Sequence, residues 1–135
     1  MTTLFVDASY IIALEIAGDQ NHAVALKHWQ SLRGTSLKFV TTSYVFDEIV
    51  TFFNSRNRHA KAVEVGNRLL TSPSVKTVQV SEELFFQGWQ FFQQHADKSY
   101  SLTDSISFLV MKQNHLEKAL TFDKHFTQAG FEKLP

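Results

Sequence analysis

The segment Leu4-Phe5-Val6-Asp7 is a short apolar run that ends at an aspartate. A run of this kind, bounded by a polar residue, is typical of a buried strand. The residues from Ala8 to about Ile16 are apolar at helical spacing, and the pair Gly18-Asp19 then breaks the pattern. This part of the chain therefore predicts a strand, an acid at the carboxyl end of that strand, and a helix.

The same alternation of strand and helix continues through the rest of the chain. Further strands are predicted at residues 37–40, 75–80, 118–122 and 131–134, and helices at 21–32, 43–54, 58–70, 81–95 and 101–114. Strands separated by helices pair in parallel through right-handed crossovers. We therefore expect an α/β fold with three layers (α/β/α) and a four- to five-stranded, mainly parallel sheet.

Composition limits the class of protein. With 135 residues, of which 44% are hydrophobic, we expect one globular domain spanning residues 1–135. No apolar run approaches the roughly 18 residues of a membrane helix, and no signal-peptide pattern is present, so we expect a soluble, cytoplasmic protein. The absence of cysteine excludes disulfides and thiolate metal sites. The net charge of zero argues against non-specific coating of nucleic acid, but not against a nuclease with a local acidic cleft.

Four acids fall where the carboxyl edge of the sheet is expected, namely Asp7, Glu48, Asp104 and Asp123. Asp7 ends the first predicted strand, and Asp123 follows the fourth by one residue. Ligands of open α/β sheets bind outside the carboxyl ends of the strands. Each aspartate could instead serve as a helix N-cap, and the residues alone leave both interpretations open.

Glu48 lies on the apolar stripe of its predicted helix. The stripe is formed by Val45, Ile49, Phe52 and Phe53. An inward-facing glutamate needs a partner such as a metal, because an unpaired buried charge costs several kcal/mol. The alternative is an edge position from which the side chain reaches water. The neighbouring Asp47 is expected to be solvated.

Asp104 follows Ser101 at the spacing of a capping box, so its carboxylate could serve the helix N-terminus. The helix itself is apolar enough to be a core helix, which also places its N-terminus near the sheet edge. Close carboxylates repel one another, and a hard cation is the usual compensation. Oxygen ligands without cysteine favour Mg²⁺ or Mn²⁺ over zinc, and such a site activates water and stabilises charge on a phosphate.

With these residues in place, the chain resembles the PIN-domain family, and within it the VapC-type toxins of toxin–antitoxin pairs. The matching segments are Phe5-Val6-Asp7-Ala8-Ser9, Thr41-Thr42-Ser43-Tyr44-Val45-Phe46-Asp47-Glu48, Ser101-Leu102-Thr103-Asp104-Ser105-Ile106-Ser107-Phe108, Leu120-Thr121-Phe122-Asp123-Lys124-His125-Phe126 and Ala129-Gly130-Phe131. Each acid alone is a weak signal, but the ordered set with its flanking residues is specific and covers essentially the whole chain.

The resemblance implies a site and a reaction. Asp7, Asp104 and Asp123 would bind one or two Mg²⁺ or Mn²⁺ ions, and Glu48 would bind the metal directly or through water and help to orient the attacking water. The hydroxyls of Ser9 and Thr121 would support these acids. The implied reaction is endonucleolytic hydrolysis of single-stranded RNA that leaves a 5′-phosphate and a 3′-hydroxyl. The resemblance also implies a homodimer and inhibition by a small cognate antitoxin.

Basic residues supply candidate RNA contacts. The densest basic stretch contains Arg56, Arg58 and Lys61, and it is interpreted either as a solvated helix face or as an RNA-backbone contact close to Glu48 in sequence. Lys124 and His125 directly follow Asp123. His125 could contact a phosphate, although a surface histidine is the simpler interpretation.

The helix predicted at 81–95 is rich in aromatic residues. Its expected apolar stripe consists of Leu84, Phe85, Trp89 and Phe92, with Phe86 and Phe91 off it. A helix packed on two sides, with a dimer or antitoxin surface as its specific form, is preferred to stacking on RNA bases.

Other functions remain open at this point. A stand-alone PIN nuclease in RNA processing and a catalytically silent RNA-binding or scaffold module both fit the pattern. A haloacid-dehalogenase-type phosphatase would need a second aspartate where Ser9 stands, and a receiver domain would need an acidic pair near the start of the first strand.

Overall fold

A computed structural model describes residues 1–135 and consists of one sheet flanked by helices. The strands are β1 (Thr2–Val6), β2 (Leu37–Thr42), β3 (Val75–Val78), β4 (Lys118–Leu120) and β5 (Glu132–Leu134). The helices are α1 (Ala8–Glu15), α2 (His22–Ser31), α3 (Ser43–Asn54), α4 (His59–Thr71), α5 (Glu82–Gln94), α6 (Leu102–Gln113) and α7 (His125–Gln128). The strand order is β3-β2-β1-β4-β5, and every neighbouring pair is parallel. The predicted α/β class is confirmed, with a sheet that is entirely parallel.

The central strand β1 is buried on both faces, because alternate side chains point to opposite sides of a strand. Phe5 belongs to the larger core, which includes residues of α3, α4, α5 and α6. Leu4 and Val6 belong to a second core on the other side, together with Tyr10 and Leu120. Helices therefore cover both faces of the sheet, so a functional site is expected at the ends of the strands.

Two strands are shorter than predicted because side chains take over their backbone hydrogen bonds. β3 ends at Val78, and the backbone N–H of Val80 donates to Ser43 Oγ at 2.9 Å. β4 ends at Leu120, and the N–H of Phe122 donates to Ser9 Oγ at 3.0 Å. The carboxyl ends of these strands therefore turn into loops held by hydroxyl groups.

The structure corrects the predicted packing of α5. Leu84 and Gly88 are its buried residues, whereas Trp89 and Phe92, which were expected on the inward stripe, are 44% and 37% exposed. The reason is the contact with α6: a Cβ atom at Gly88 would lie 2.5 Å from Ile106 Cγ1. The helices therefore meet at the glycine, and Trp89 and Phe92 turn outward, whereas Phe91 packs against the core.

Local capping sets where the helices of the site begin. Thr42 caps α3 by accepting a hydrogen bond from the N–H of Val45 at 3.1 Å. Ser101 and Asp104 form the predicted capping box at the start of α6. None of the helices combines the length and the apolar character needed to cross a bilayer.

Candidate active site

The four predicted acids all line one open cleft at the carboxyl edge of the sheet, with a cavity of about 680 Å³. Asp7 follows β1, Glu48 lies on α3, Asp104 lies in the first turn of α6, and Asp123 precedes α7. Ser9 and His125 also line this cleft, and no lysine or arginine does. The fold therefore brings together acids that are far apart in sequence, and no lysine or arginine side chain in the cleft compensates their negative charge.

Asp7 is buried, with 6% of its surface exposed. It occupies the N-cap position of α1 but makes no side-chain capping hydrogen bond. Instead, Ser9 Oγ and Thr121 Oγ1 each donate to Asp7 Oδ2 at 2.8 Å. Burial raises the pKa of Asp7, the two hydroxyls partly offset this, and the charges of Asp104 and Asp123 raise it further. The helix-cap interpretation of Asp7 is therefore wrong.

Asp104 and Asp123 each combine a local structural contact with a position in the cleft. Asp104 Oδ2 accepts a hydrogen bond from the N–H of Ser101 at 3.1 Å. Burial raises the pKa of Asp104, and the hydrogen bond from Ser101 offsets only part of this rise. The nearby charge of Asp123 raises the pKa further. Asp123 Oδ1 accepts a hydrogen bond from the N–H of His125 at 2.9 Å. Both carboxylates are thus held in place by backbone donors.

Glu48 is exposed, so the prediction that it faces the core is wrong. The buried residues of α3 are Val45, Ile49 and Phe53, which form a narrower stripe that leaves position 48 at its edge. Glu48 nevertheless lines the cleft. Partial burial of its carboxyl group there, followed by the charges of Asp7 and Asp104, raises its pKa to about 7. Glu48 therefore lies with the other acids because it lines the cleft, and not because it is buried in the core.

His125 is the residue that the sequence interpretation underestimated. Its Nδ1 lies 3.3 Å from Asp104 Oδ2 and 3.2 Å from Asp123 Oδ1. One candidate ligand atom from each of these three residues lies within 4.8 Å of the others. The only signal in the sequence was the spacing of His125, two residues after Asp123.

The donor set fits a divalent cation. Asp7, Glu48 and Asp104 all have pKa values that are raised in part by the charges of neighbouring acids in the cleft, so positive charge there would relieve this repulsion. His125 Nδ1 is a buried atom without an aligned hydrogen-bond partner beside two carboxylates. Carboxylates with one imidazole suit a hard or borderline metal.

Two candidate RNA-contact residues, Arg56 and Arg58, lie beyond the end of α3 and are exposed. The Arg56 guanidinium lies 3.6 Å from the ring centroid of Phe52, and it donates to the Phe52 carbonyl at 3.1 Å. Since Phe52 lines the cleft, Arg56 places positive charge at its rim.

The other two basic candidates differ from each other. Lys61 Nζ lies 3.1 Å from Glu15 Oε1, so its charge is already compensated within the protein. Lys124 is exposed and follows Asp123 directly. Lys124 therefore has no acidic partner within the protein, whereas Lys61 is paired with Glu15.

Comparison with known proteins identifies the family. The PIN domain family profile matches residues 4–132, so the chain belongs to the PIN-domain family, and the resemblance seen in the sequence is confirmed. The chain is 34% identical over 128 residues to the 23S rRNA-specific endonuclease VapC20 of Mycobacterium tuberculosis strain H37Rv, covering 95% of each chain. It is therefore a homologue of a VapC-type toxin.

Solved structures agree with this assignment. The crystal structure of Mycobacterium tuberculosis VapC20, described as a sarcin-ricin loop cleaving toxin, superposes with a TM-score of 0.85 at 33% identity over 95% of each chain. FitAcB from Neisseria gonorrhoeae gives a TM-score of 0.63 at 17% identity, covering 100% of this chain and 97% of that one. A toxin–antitoxin complex from Klebsiella pneumoniae gives 0.59 at 13% identity, covering 90% and 87%. The last two show a shared fold only.

Proposed function

We propose that this chain is a Mg²⁺- or Mn²⁺-dependent endoribonuclease that hydrolyses phosphodiester bonds of single-stranded RNA, and that it is the toxin of a toxin–antitoxin pair. The observation that carries the proposal is the convergence of Asp7, Glu48, Asp104 and Asp123 on one cleft that no lysine or arginine lines. Membership of the PIN-domain family supports the same reaction class.

Asp7, Asp104, Asp123 and Glu48 are the residues that would hold the cation. When bound, a divalent cation supplies a Lewis acid for the phosphate and lowers the pKa of water. The chain itself orients the Asp7 carboxylate before a cation binds, because Ser9 and Thr121 each donate a hydrogen bond to it at 2.8 Å. Residues held in this way lose little entropy when the ligand arrives.

Glu48 lines the same cleft from α3 and is open to solvent. From there its carboxylate can orient a water against the phosphate. Arg56, Arg58 and Lys124 would contact the RNA backbone, since all three are exposed.

Ribosomal RNA is the substrate class to test first. The relative with 34% identity is named as a 23S rRNA-specific endonuclease, and its coverage of 95% on both sides leaves no large segment unmatched. We extend this substrate class to the present chain. Cleavage confined to messenger or transfer RNA would contradict it.

Two exposed apolar surfaces support the proposed partners, a small antitoxin and a second copy of the chain. One is a groove of about 330 Å³ between α1, α2 and α4, lined by residues that include Leu14, Leu26 and Trp29. The other is the outer face of α5, where Phe86 and Trp89 are 57% and 44% exposed.

Light scattering tests the homodimer, and a solution mass of 15.4 kDa, that of the monomer, would contradict it.

Two alternative functions predict different behaviour. A catalytically silent RNA-binding or scaffold module would bind RNA equally well with EDTA and with Mg²⁺ and would never cut it. A stand-alone PIN nuclease would cut RNA but would not be inhibited by any small protein encoded beside it.

The test compares cleavage of purified ribosomal RNA by the wild type, Asp7→Asn and Asp104→Asn, each with Mg²⁺, Mn²⁺ or EDTA. We expect metal-dependent cuts by the wild type and a loss of roughly 100-fold or more in both variants, because preorganised groups at a reacting phosphate contribute on that scale. Sequencing of the cut ends identifies the target and the terminal phosphate.

Asp47→Asn is the matched control, because Asp47 lies in the same cleft but is exposed and accepts a hydrogen bond from Thr51 Oγ1 at 3.2 Å. It should retain activity within about threefold, as expected for an exposed charge that salt screens. Equal cleavage by all four proteins, or cleavage that persists in EDTA, would contradict the carboxylate mechanism.

A further inference from the structure

We infer that His125 is a nitrogen ligand of the metal site, and that this nitrogen gives the site a preference for Mn²⁺ over Mg²⁺. The inference rests on the proposed function, in which Asp104 and Asp123 hold a divalent cation. It adds a ligand of a different chemical type and a consequence for which metal the protein selects.

The spacing of the three side chains fits shared coordination. His125 Nδ1 lies 3.3 Å from Asp104 Oδ2 and 3.2 Å from Asp123 Oδ1. In an octahedral shell with ligands at about 2.1 Å, adjacent ligand atoms lie roughly 3 Å apart. The observed separations match adjacent positions of such a shell.

A hydrogen bond does not account for the position of this nitrogen. Nδ1 is shielded from solvent, yet neither carboxylate is aligned with it well enough to be a hydrogen-bond acceptor. Buried polar atoms are nearly always hydrogen-bonded, so an exception beside two carboxylates requires an explanation. A cation placed between the three atoms supplies one.

The imidazole ring is held in its place rather than free on the surface. The backbone N–H of His125 donates to Asp123 Oδ1 at 2.9 Å. The ring packs edge-on against buried Tyr100, with centroids 5.4 Å apart and an interplanar angle of 81°. A ligand fixed in this way costs little entropy when a metal binds.

The chemistry of an imidazole distinguishes the two metals. Carboxylate oxygens suit both Mg²⁺ and Mn²⁺, whereas imidazole nitrogen favours transition metals. Mg²⁺ also loses its water reluctantly and prefers oxygen ligands. One nitrogen among several carboxylates therefore raises Mn²⁺ affinity more than Mg²⁺ affinity.

The test uses Mn²⁺ alone as the probe on the intact chain. Electron spin-echo envelope modulation of bound Mn²⁺ detects a coordinated nitrogen, and labelling the protein with ¹⁵N-histidine identifies it as histidine. EPR titration gives the Mn²⁺ affinity, and competition gives the Mg²⁺ affinity. His125→Asn is compared with His115→Asn, a matched control because His115 is exposed and has a φ of 55° that asparagine tolerates.

We expect a histidine nitrogen coupling in the wild type and in His115→Asn, and none in His125→Asn. Loss of the ligand should weaken Mn²⁺ binding roughly tenfold or more, a size comparable with the loss of groups that orient metal ligands. Mg²⁺ affinity should change by less than about threefold, since its oxygen ligands remain. Circular dichroism checks that His125→Asn folds, and the wild-type spectrum is decisive without any variant.

The outcomes separate this inference from the proposed function. Mn²⁺ bound without a nitrogen coupling, or a coupling that persists in His125→Asn, overturns the role of His125 and leaves the carboxylate nuclease intact. A wild type that binds no Mn²⁺ overturns this inference, and one that binds neither Mn²⁺ nor Mg²⁺ overturns both.

Discussion

Two carboxylates lie at opposite ends of helix α1, and their surroundings differ in charge. Glu15, the last residue of the helix, lies 3.1 Å from Lys61 Nζ and 2.9 Å from Arg68 Nη1. Burial alone would raise the pKa of Glu15, but the hydrogen bonds and charges of these two cations outweigh it and lower the pKa. This carboxylate is compensated by the fold itself.

Asp7, directly before the same helix, receives only hydroxyl donors. Ser9 and Thr121 offset part of the burial that raises its pKa, while the neighbouring acids raise it further. Glu15 therefore contacts two cationic side chains, whereas Asp7 contacts only hydroxyl groups. Because unpaired buried charge is costly, a carboxylate left in this state is expected where a ligand brings the missing charge. On the proposed function, this difference separates an acid that stabilises the fold from one that holds a cation.

The largest expected effect comes from supplying the cleft with a cation of its own. Glu48→Lys places an ammonium group in the acidic cleft at an exposed position that accommodates it. The wild type should gain about 2.7 kcal/mol of unfolding free energy at Mg²⁺ concentrations near 100 times the dissociation constant. The variant should be more stable than the wild type in EDTA and gain almost nothing from Mg²⁺. Urea denaturation with and without Mg²⁺ measures both.

Glu117→Lys serves as the control, since it makes the same charge change at an exposed residue outside the cleft. It should keep the full response to Mg²⁺. If Glu48→Lys responds to Mg²⁺ like the wild type, the acids of the cleft are not acting as a metal site, and the contrast with Glu15 loses its functional meaning.

A smaller effect is expected when the compensated carboxylate is removed. Glu15→Gln should lower the unfolding free energy by about 1–2 kcal/mol, because it removes the closer of the two carboxylates that pair with the half-buried Lys61. RNA cleavage should be unchanged. Glu64→Gln is the matched control: Glu64 pairs with Arg68 at 2.8 Å and more distantly with Lys61 at 3.8 Å, but the Glu64 side chain itself is exposed. It should cost no more than about 0.5 kcal/mol.

Loss of cleavage in Glu15→Gln, with folding intact, would show that the two acids at the ends of α1 are functionally coupled. Denaturation curves and initial cleavage rates on the same preparations distinguish the two cases.

The sequence was sufficient to predict the acids because their positions follow from topology. A strand that ends at Asp7 and another that ends just before Asp123 bring both acids to one edge once the sheet is parallel. Asp104 was predicted twice over, since the capping box and the core character of α6 both place it at that edge. These signals are local in sequence, and the fold only assembles them.

The features that the sequence did not predict depend on contacts between distant residues. The inward face of α5 is decided by Gly88 against Ile106, and a hydrophobic pattern gives a glycine no weight. His125 gains its position from Asp104 and Tyr100, and its helix α7 is too short to produce a periodic signal. Glu48 sits on the boundary of the apolar stripe of α3, where only the width of the packed face decides its exposure.

The smallest expected effect is an opposite pH dependence for two glutamine substitutions in the metal-free protein. Partial burial and then the charge of Asp7 raise the pKa of Glu48 from 4.5 to about 7. The folded state therefore binds this proton more tightly than the unfolded chain, and the stability it contributes is lost as the pH rises from 4.5 to 7. Glu48→Gln should match the wild type near pH 4.5 and exceed its Tm by about 2 °C at pH 8, a small effect because solvent screens the charges around an exposed residue.

Glu15→Gln should show the reverse. The pKa of Glu15 is lowered in the folded state, so its contribution is present at neutral pH and lost as the pH falls through the folded pKa. The deficit of Glu15→Gln should therefore be greatest near pH 7 and narrow toward pH 4. Thermal melts in EDTA between pH 4 and pH 8 measure both curves. Differences from the wild type that run parallel across this range would mean that the two carboxylates sit in equivalent environments. Curves that diverge in opposite directions would establish, without any metal or RNA present, that only the cleft carboxylate lacks a cation within the fold.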